Sequence, residues 1–195
     1  MRFPGARPGD QSGDVIMTKD DATTRTLEDR VRAIEDRLAI YNLIAGHPPS
    51  ADTAADHYAR AVYADDGVFD RGPLPGGKSN EAIAASLKEP AHAVAINGGL
   101  AHFCGLPYIE LDGDKAAVTS YLQILTPDPN GAPVELSNHG TSKGFRIHRV
   151  AANRWDLVRT DKGWKIKRRT LRPLDGSEPA RQILRQALAA FEASA

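Results

Sequence analysis

The stretch "LAHFCGLPYIELDGDKAAVTSYLQIL", Leu100 to Leu125, decides the fold class. From Gly98 onward the apolar pattern has a period of two. The break at Asp112-Gly113-Asp114 is a strong hairpin signal, so the stretch reads as two antiparallel strands, "LAHFCGLPYIEL" and "KAAVTSYLQIL". Beyond it, "TPDPNGAPVELSNHGTSK" is a long polar connection with room for one extra short strand. "GFRIHRVAANRWDLVRT" and "GWKIKRRTLRPL" then form another hairpin across Asp161-Lys162-Gly163.

Upstream the period is helical. Thr26 opens "TLED", a capping box with Asp29 as its acidic member. Leu27, Val31, Ile34, Leu38 and Tyr41 follow at spacings of three and four, which predicts a helix with that face buried. It stops at "GHPPS", where Gly46 breaks the helix and Pro48 and Pro49 do not continue it. A second helix is expected from Asp52 to about Tyr63, with Ala55, Tyr58, Ala59 and Val62 inward. "ADDGVFDRG" predicts a turn at Asp66-Gly67 and a short strand at Val68-Phe69, and "PLPGGKS" a loop. Asn80 to Leu87 reads as a short helix capped by Asn80 and ended by Pro90. A last helix, Pro179 to Glu192, would bury Ile183, Leu184, Ala187, Leu188 and Phe191.

Helices first, then antiparallel strands, then one more helix: the order argues α+β, with helices packed on one face of a curved sheet. No βαβ alternation and no internal repeat occur. The expected organisation is a disordered tail over 1–24, rich in Gly, Pro, Asp and Thr, a domain over 25–176, and a C-terminal helix over 177–195. Met17, just ahead of the first helix, is a second candidate start position.

Bulk chemistry narrows the function. Lys plus Arg and Asp plus Glu both number 25 in the 195 residues, so the formal net charge is +0 and no general attraction to nucleic acid or anionic membrane follows. Apolar content of 41% and charged content of 26% are ordinary for a globular domain. No apolar run approaches the about 20 residues of a membrane span. A single cysteine, Cys104, excludes an intrachain disulfide and a multi-cysteine zinc site. The first residues lack the apolar stretch of a signal peptide, so a reducing cytoplasm is the expected compartment.

The six histidines divide by context. His57 lies off its helix's apolar stripe and His148 alternates with Arg146; both read as solvent-facing. His92 and His139 sit in loop or turn settings, and His47 in the helix-terminating segment, where function is often carried. His102 differs, because alternation puts it on one face with Leu100 and Cys104. There it is either a hydrogen-bonded core histidine or a base at the mouth of a pocket. No HxH or HExxH spacing favours a metal, "PLPGGKS" lacks phosphate-loop spacing, and Cys104 reads as a small pocket-wall residue. In "WKIKRRTLRPL", strict alternation groups Trp164, Ile166, Arg168 and Thr170, so Arg168 reads either as an inward charge near the sheet's end or as a salt-bridged or snorkelling side chain.

"IEDRLAIYNLI", "YADDGVFD", "HFCGLPYIELDGDKAAVTSYLQIL" and "ANRWDLVRTDKGWKIKRRTLRPLDG" occur here in the order of a known family. Over about Leu27 to Gly176 the chain resembles the SnoaL-like branch of the nuclear transport factor 2-like superfamily. The resemblance implies a cone of bent sheet wrapped around helices, a deep interior pocket, and a homo-oligomer, dimer or trimer. The superfamily holds dehydratases, isomerases, polyketide cyclases, a dehydrochlorinase, dioxygenase β-subunits and plain binding proteins. In its dehydratase and dehydrochlorinase members an Asp between the first two helices and a His on the strand after the third form a dyad. Asp52 and His102 occupy those positions. Some dehydratases carry a Tyr five residues before the Asp, where this chain has His47. Asn153, in "ANRW", takes a position that reaches the pocket in relatives, and Phe69 and Cys104 join His47 as candidate substrate contacts.

The resemblance therefore implies a cofactor-free lyase or isomerase, with neither organic cofactor nor metal. Its ligand would be a small cyclic, aromatic or steroid-like uncharged compound, of the kind found in polyketide or steroid metabolism. Asp52 would orient His102, whose free nitrogen takes a substrate proton. The alternatives are a non-catalytic small-molecule binder of the same fold and a dioxygenase β-subunit-like structural partner.

Overall fold

The computed structural model describes residues 26–192. The expected disordered tail lies outside them. Helix α1, Leu27–Ala45, starts on the capping box: Thr26 Oγ1 accepts from Asp29 N–H, and the Asp29 carboxylate accepts from Thr26 N–H. Its buried row is Asp36, Ile40 and Ile44, one residue every four positions. The face expected inward is the outer one, with Leu27, Ile34 and Leu38 each about 60% or more exposed or close to it (68%, 59% and 60%). The reason is Asp36, whose partners lie in the domain and turn the helix toward them.

The prolines begin a helix rather than ending one. Helix α2, His47–Asp52, holds both in its first turn, where a missing N–H costs nothing. Gly46, between α1 and α2, has an ordinary φ of −71°. Its role is space, since a Cβ there would fall 2.3 Å from the Tyr58 hydroxyl oxygen. Helix α3, Asp56–Val62, carries Tyr58 back to donate to Leu43 O; the helix expected from Asp52 starts at Asp56, and Asp52 is instead the last residue of α2. The turn between them places Ala54 at φ +51°.

Strand β1, Tyr63–Arg71, runs through the segment expected to turn at Asp66-Gly67, and β2, Leu74–Lys78, replaces the expected loop. Pairing rescues both: β2 is an edge strand against β1. Helix α4, Asn80–Ser86, is capped by Ser79 instead of Asn80. Pro90 opens a further helix, α5, Pro90–Asn97, which contains His92.

The expected strand from Leu100 to Leu111 is two, β3, Ala101–Cys104, and β4, Tyr108–Asp112, divided at Gly105-Leu106-Pro107. Both pair antiparallel with the same edge of β5, Lys115–Pro127. The long connection holds a small hairpin, β6, Val134–Leu136, with β7, Gly140–Ser142. Strands β8, Phe145–Thr160, and β9, Gly163–Pro173, form the last hairpin. The main sheet is ordered β2-β1-β9-β8-β5-β3, with β4 also on β5; β1 and β9 are parallel, the other pairs antiparallel. The fold is thus α+β, with an open mixed sheet curved around the N-terminal helices.

The inner face of the sheet carries Val118, Trp155, Leu157, Trp164 and Ile166, which meet Ile40, Ile44, Ala59 and Ile83 from the helices. Helix α6, Glu178–Glu192, packs Ala180 and Ile183 on Ala152. Ala152 alternates with Ala151 and Asn153, so α6 covers the outer face. Leu188, expected inward, is 53% exposed, and the Phe191 side chain lies outside the described residues. Burying a leucine- or isoleucine-sized side chain contributes about 1.5–3 kcal/mol, so the inner face dominates stability. Among the described residues no helix is long and apolar enough to cross a membrane.

One irregularity in the hairpin has chemical weight. Ile166 pairs with Leu157 and Arg168 with Asp156, so two steps along β9 match one along β8 and Lys167 is a bulge. After it, the inward set becomes Arg169 and Leu171. Arg168 takes the salt-bridged reading: it is half exposed and donates to Asp70 Oδ2 at 2.5 Å.

Candidate functional site

The last residue of α2 and the second of β3 meet. His102 Nδ1 lies 2.6 Å from Asp52 Oδ1, and the His102 backbone N–H donates to the same carboxylate, 3.0 Å from Oδ2. An ionised carboxylate only accepts, so Nδ1 carries the proton and Nε2 is left with its lone pair. Burial lowers the His102 pKa below its usual 6.5, with Asp52 pulling the other way. The imidazole is therefore neutral near pH 7, as a base must be.

His47 adjoins this pair, its ring 5.9 Å from that of His102 and 5.4 Å from that of Trp155, both edge-on. Burial, then Arg169 and His102, push its pKa well below 6.5. His47 also lines a small, partly open cavity, with Tyr63, Phe69, Trp155 and Arg169 among its walls. Asp52 and His102 are not among those walls; His47, which is, adjoins the dyad through the His102 ring.

Arg169 was not singled out from the sequence, yet it is the central charge of the site, 2% exposed. Its strand neighbours explain its setting. Arg169 pairs with Phe69 on β1 and with Trp155 on β8, so its guanidinium sits between two aromatic rings, 4.6 and 4.2 Å from their centroids. Its Nε donates to Asn153 Oδ1 at 3.0 Å, and its Nη1 to His47 Nδ1 at 3.3 Å.

The sequence-derived contacts thus divide. His47 and Phe69 line the cavity. Asn153 is fully buried and reaches it through Arg169. Cys104, half-buried, packs beside Leu122, Ala151 and Leu171 and lies outside the walls; burial raises its thiol pKa. His92, in α5, braces α2 through Ala51 O at 2.8 Å. The signal for Arg169 was the basic run of β9, hidden by the bulge.

A curved sheet over helices, an apolar cavity between them and an Asp–His pair beside it define an α+β small-molecule pocket protein of the nuclear transport factor 2-like type. Residues 32–170 match the SnoaL-like domain, and the chain belongs to that family. Among solved structures it is similar to an NTF2-like protein with a cystatin-like fold from Novosphingobium aromaticivorans. The two are 31% identical, with a TM-score of 0.70 over 83% of this chain and 98% of that one. A candidate scytalone dehydratase from the same organism shares the fold at 19% identity and TM-score 0.54, over 74% of this chain and 87% of that one. So does ActVI-ORFA from Streptomyces coelicolor, at 18% identity and TM-score 0.54, over 72% and 98%. No curated protein sequence matches the chain significantly.

Proposed function

We propose that the protein is a cofactor-free lyase or isomerase acting on a small cyclic or aromatic compound. The observation that carries this is the 2.6 Å contact between Asp52 and His102 Nδ1, which frees Nε2 as a base. In the reaction, a substrate C–H bond breaks, its proton goes to Nε2, and its electron pair forms a double bond. In elimination, a neighbouring C–O bond then breaks and the hydroxyl takes the proton back from the His102 imidazolium to leave as water, which restores the base. In isomerisation, the proton returns to another carbon. Asp52 stabilises the imidazolium throughout. His47, a wall of the cavity next to His102, would touch the substrate.

The first step is testable without knowing the natural substrate. Cyclic ketones such as 2-tetralone, incubated with the protein in deuterated water, report C–H exchange by NMR. Exchange should accelerate with the wild type and fall to the buffer rate with His102→Ala. Equal exchange by the two proteins would leave the binding-protein reading in its place.

We further propose that the protein self-associates through α1. Its exposed row, Leu27, Val31, Ile34, Leu38 and Tyr41, has the four–three spacing of a two-stranded helical seam. Glu28 and Glu35 flank it on one side, Arg30 and Arg37 on the other. Parallel pairing would set Arg30 opposite Glu35 of a second copy.

A further inference from the structure

Among the described residues, Arg169 is a buried cation with no carboxylate partner. Burial opposes its charge, and the groups that support it are the Tyr63 hydroxyl, which accepts a hydrogen bond from the guanidinium, and the Cys104 thiol. Burial raises the pKa of both, so both are neutral at pH 7. The carboxylate of the dyad is held by the ring and backbone of His102. Arg71, on the next strand position after Asp70, adds like charge, since Arg169 lowers its pKa. Two aromatic faces offset part of the cost of burying the guanidinium, and neither supplies an acceptor in its plane.

The unpaired atoms point one way chemically. Arg169 Nη2, His47 Nε2 and Asn153 Nδ2 are all buried and lack a hydrogen-bond partner. Arg169 can only donate, so His47 Nδ1, which it meets, is the acceptor and the His47 proton sits on Nε2. Likewise Asn153 Oδ1 accepts from Arg169 Nε, which makes Nδ2 the donor end. One connected cluster therefore holds three orphaned donors. A buried donor left unpaired is costly, so three in one cluster mark a ligand whose acceptors they await. Two of the three residues, His47 and Arg169, line the cavity.

We infer that this cluster binds an anionic oxygen, so that the ligand of the cavity is a cyclic or aromatic carboxylate. The rings of Phe69 and Trp155 would take its apolar body, and the fork of Arg169 its carboxylate, with His47 as a second donor and Asn153 holding Arg169 in place from behind. This revises the uncharged ligand expected from the sequence. It rests on the proposed function only in using the same cavity, and it holds equally for a protein that binds without catalysis.

The test compares 2-naphthoate with its neutral isostere 2-naphthamide by titration calorimetry at pH 7 and low salt. Wild type should bind the carboxylate at least about tenfold more tightly. Arg169→Met should abolish that preference, with a melting temperature unchanged or raised, because a buried unpaired charge is replaced by an apolar chain of similar reach. Asn153→Asp, nearly isosteric, should give Arg169 an internal counter-ion, raising the melting temperature while weakening naphthoate. His102→Ala should lose proton exchange yet keep the preference, which separates this inference from the catalytic reading. Equal affinity for the two compounds in wild type would overturn it, as would a preference that survives Arg169→Met or Asn153→Asp.

Discussion

Asp52 holds His102 twice, by its ring nitrogen and by its backbone N–H, across 50 positions of sequence. The carboxylate therefore fixes both the tautomer of the ring and the place of α2 against β3. Asp52→Asn keeps the shape but presents an amide to Nδ1, permitting the wrong tautomer. Turnover or exchange should fall by about 100-fold or more, within the range of general acid–base contributions. With Asp52 no longer raising it, the His102 pKa should fall further, moving the acid limb of the pH–rate profile to lower pH. A profile unmoved by Asp52→Asn would count against the dyad.

His47 makes stability depend on pH. Its folded pKa is depressed and its unfolded value is near 6.5, so the unfolded chain binds a proton that the folded protein refuses. The stabilisation is present above pH 6.5 and is lost as pH falls through that value toward the folded pKa. Chemical denaturation between pH 7.5 and 5 should show stability dropping, at up to about 1.4 kcal/mol per pH unit for this one proton. His47→Gln should flatten that slope, leaving the smaller contribution of His102, which has the same sign.

Asp36 anchors α1 to the hairpin. Its carboxylate takes both Arg159 Nη atoms, at 2.6 and 2.5 Å, and the Trp164 indole N–H at 3.1 Å, while Arg159 stacks on Trp164. These contacts, Arg159 first, lower the Asp36 pKa. Asp36→Ala should cost about 3 kcal/mol, the low end for breaking a buried pair, because Arg159 is partly exposed and keeps Asp114. The contribution is present above about pH 3.9, the unfolded value, and disappears as pH falls through the lower folded pKa. Denaturant midpoints of the variant measure it.

The α1 seam predicts a mass. Sedimentation equilibrium of the wild type should return at least twice the 21.0 kDa of one chain. Ile34→Glu with Leu38→Glu should return one chain, with the fold intact by circular dichroism, since neither side chain is buried in the protomer. A monomeric wild type would remove this interface.

The sequence made the strand run, the α1 capping box and the Asp52–His102 meeting legible, because period-two alternation and family motif order survive without coordinates. It misled where one local signal competed with tertiary partners. The longest apolar row of α1 faces out, because Asp36, polar and so discounted, has the partners that orient the helix. Pro48, Pro49 and Pro90 read as stops, yet each sits in the first turn of a helix, where proline is tolerated. "PLPGGKS" reads as loop on composition, but an edge strand needs only a partner. Alternation placed Arg168 inward; one extra residue makes it Arg169, and with it the charge of the cavity stayed hidden.

That extra residue, Lys167, makes β9 a strand with two reading frames. Upstream of it the frame delivers tryptophan and isoleucine to the interior; downstream, the second frame delivers arginine and leucine. In the uninterrupted frame Arg168 and Thr170 would line the cavity, and Arg169 would face away from Phe69 and Trp155. An insertion or deletion of one codon here changes which basic residue the pocket receives, while the composition of the strand hardly changes. Ligand preference in such a domain can therefore shift by a slip in register, a route that substitution-by-substitution comparison of relatives overlooks.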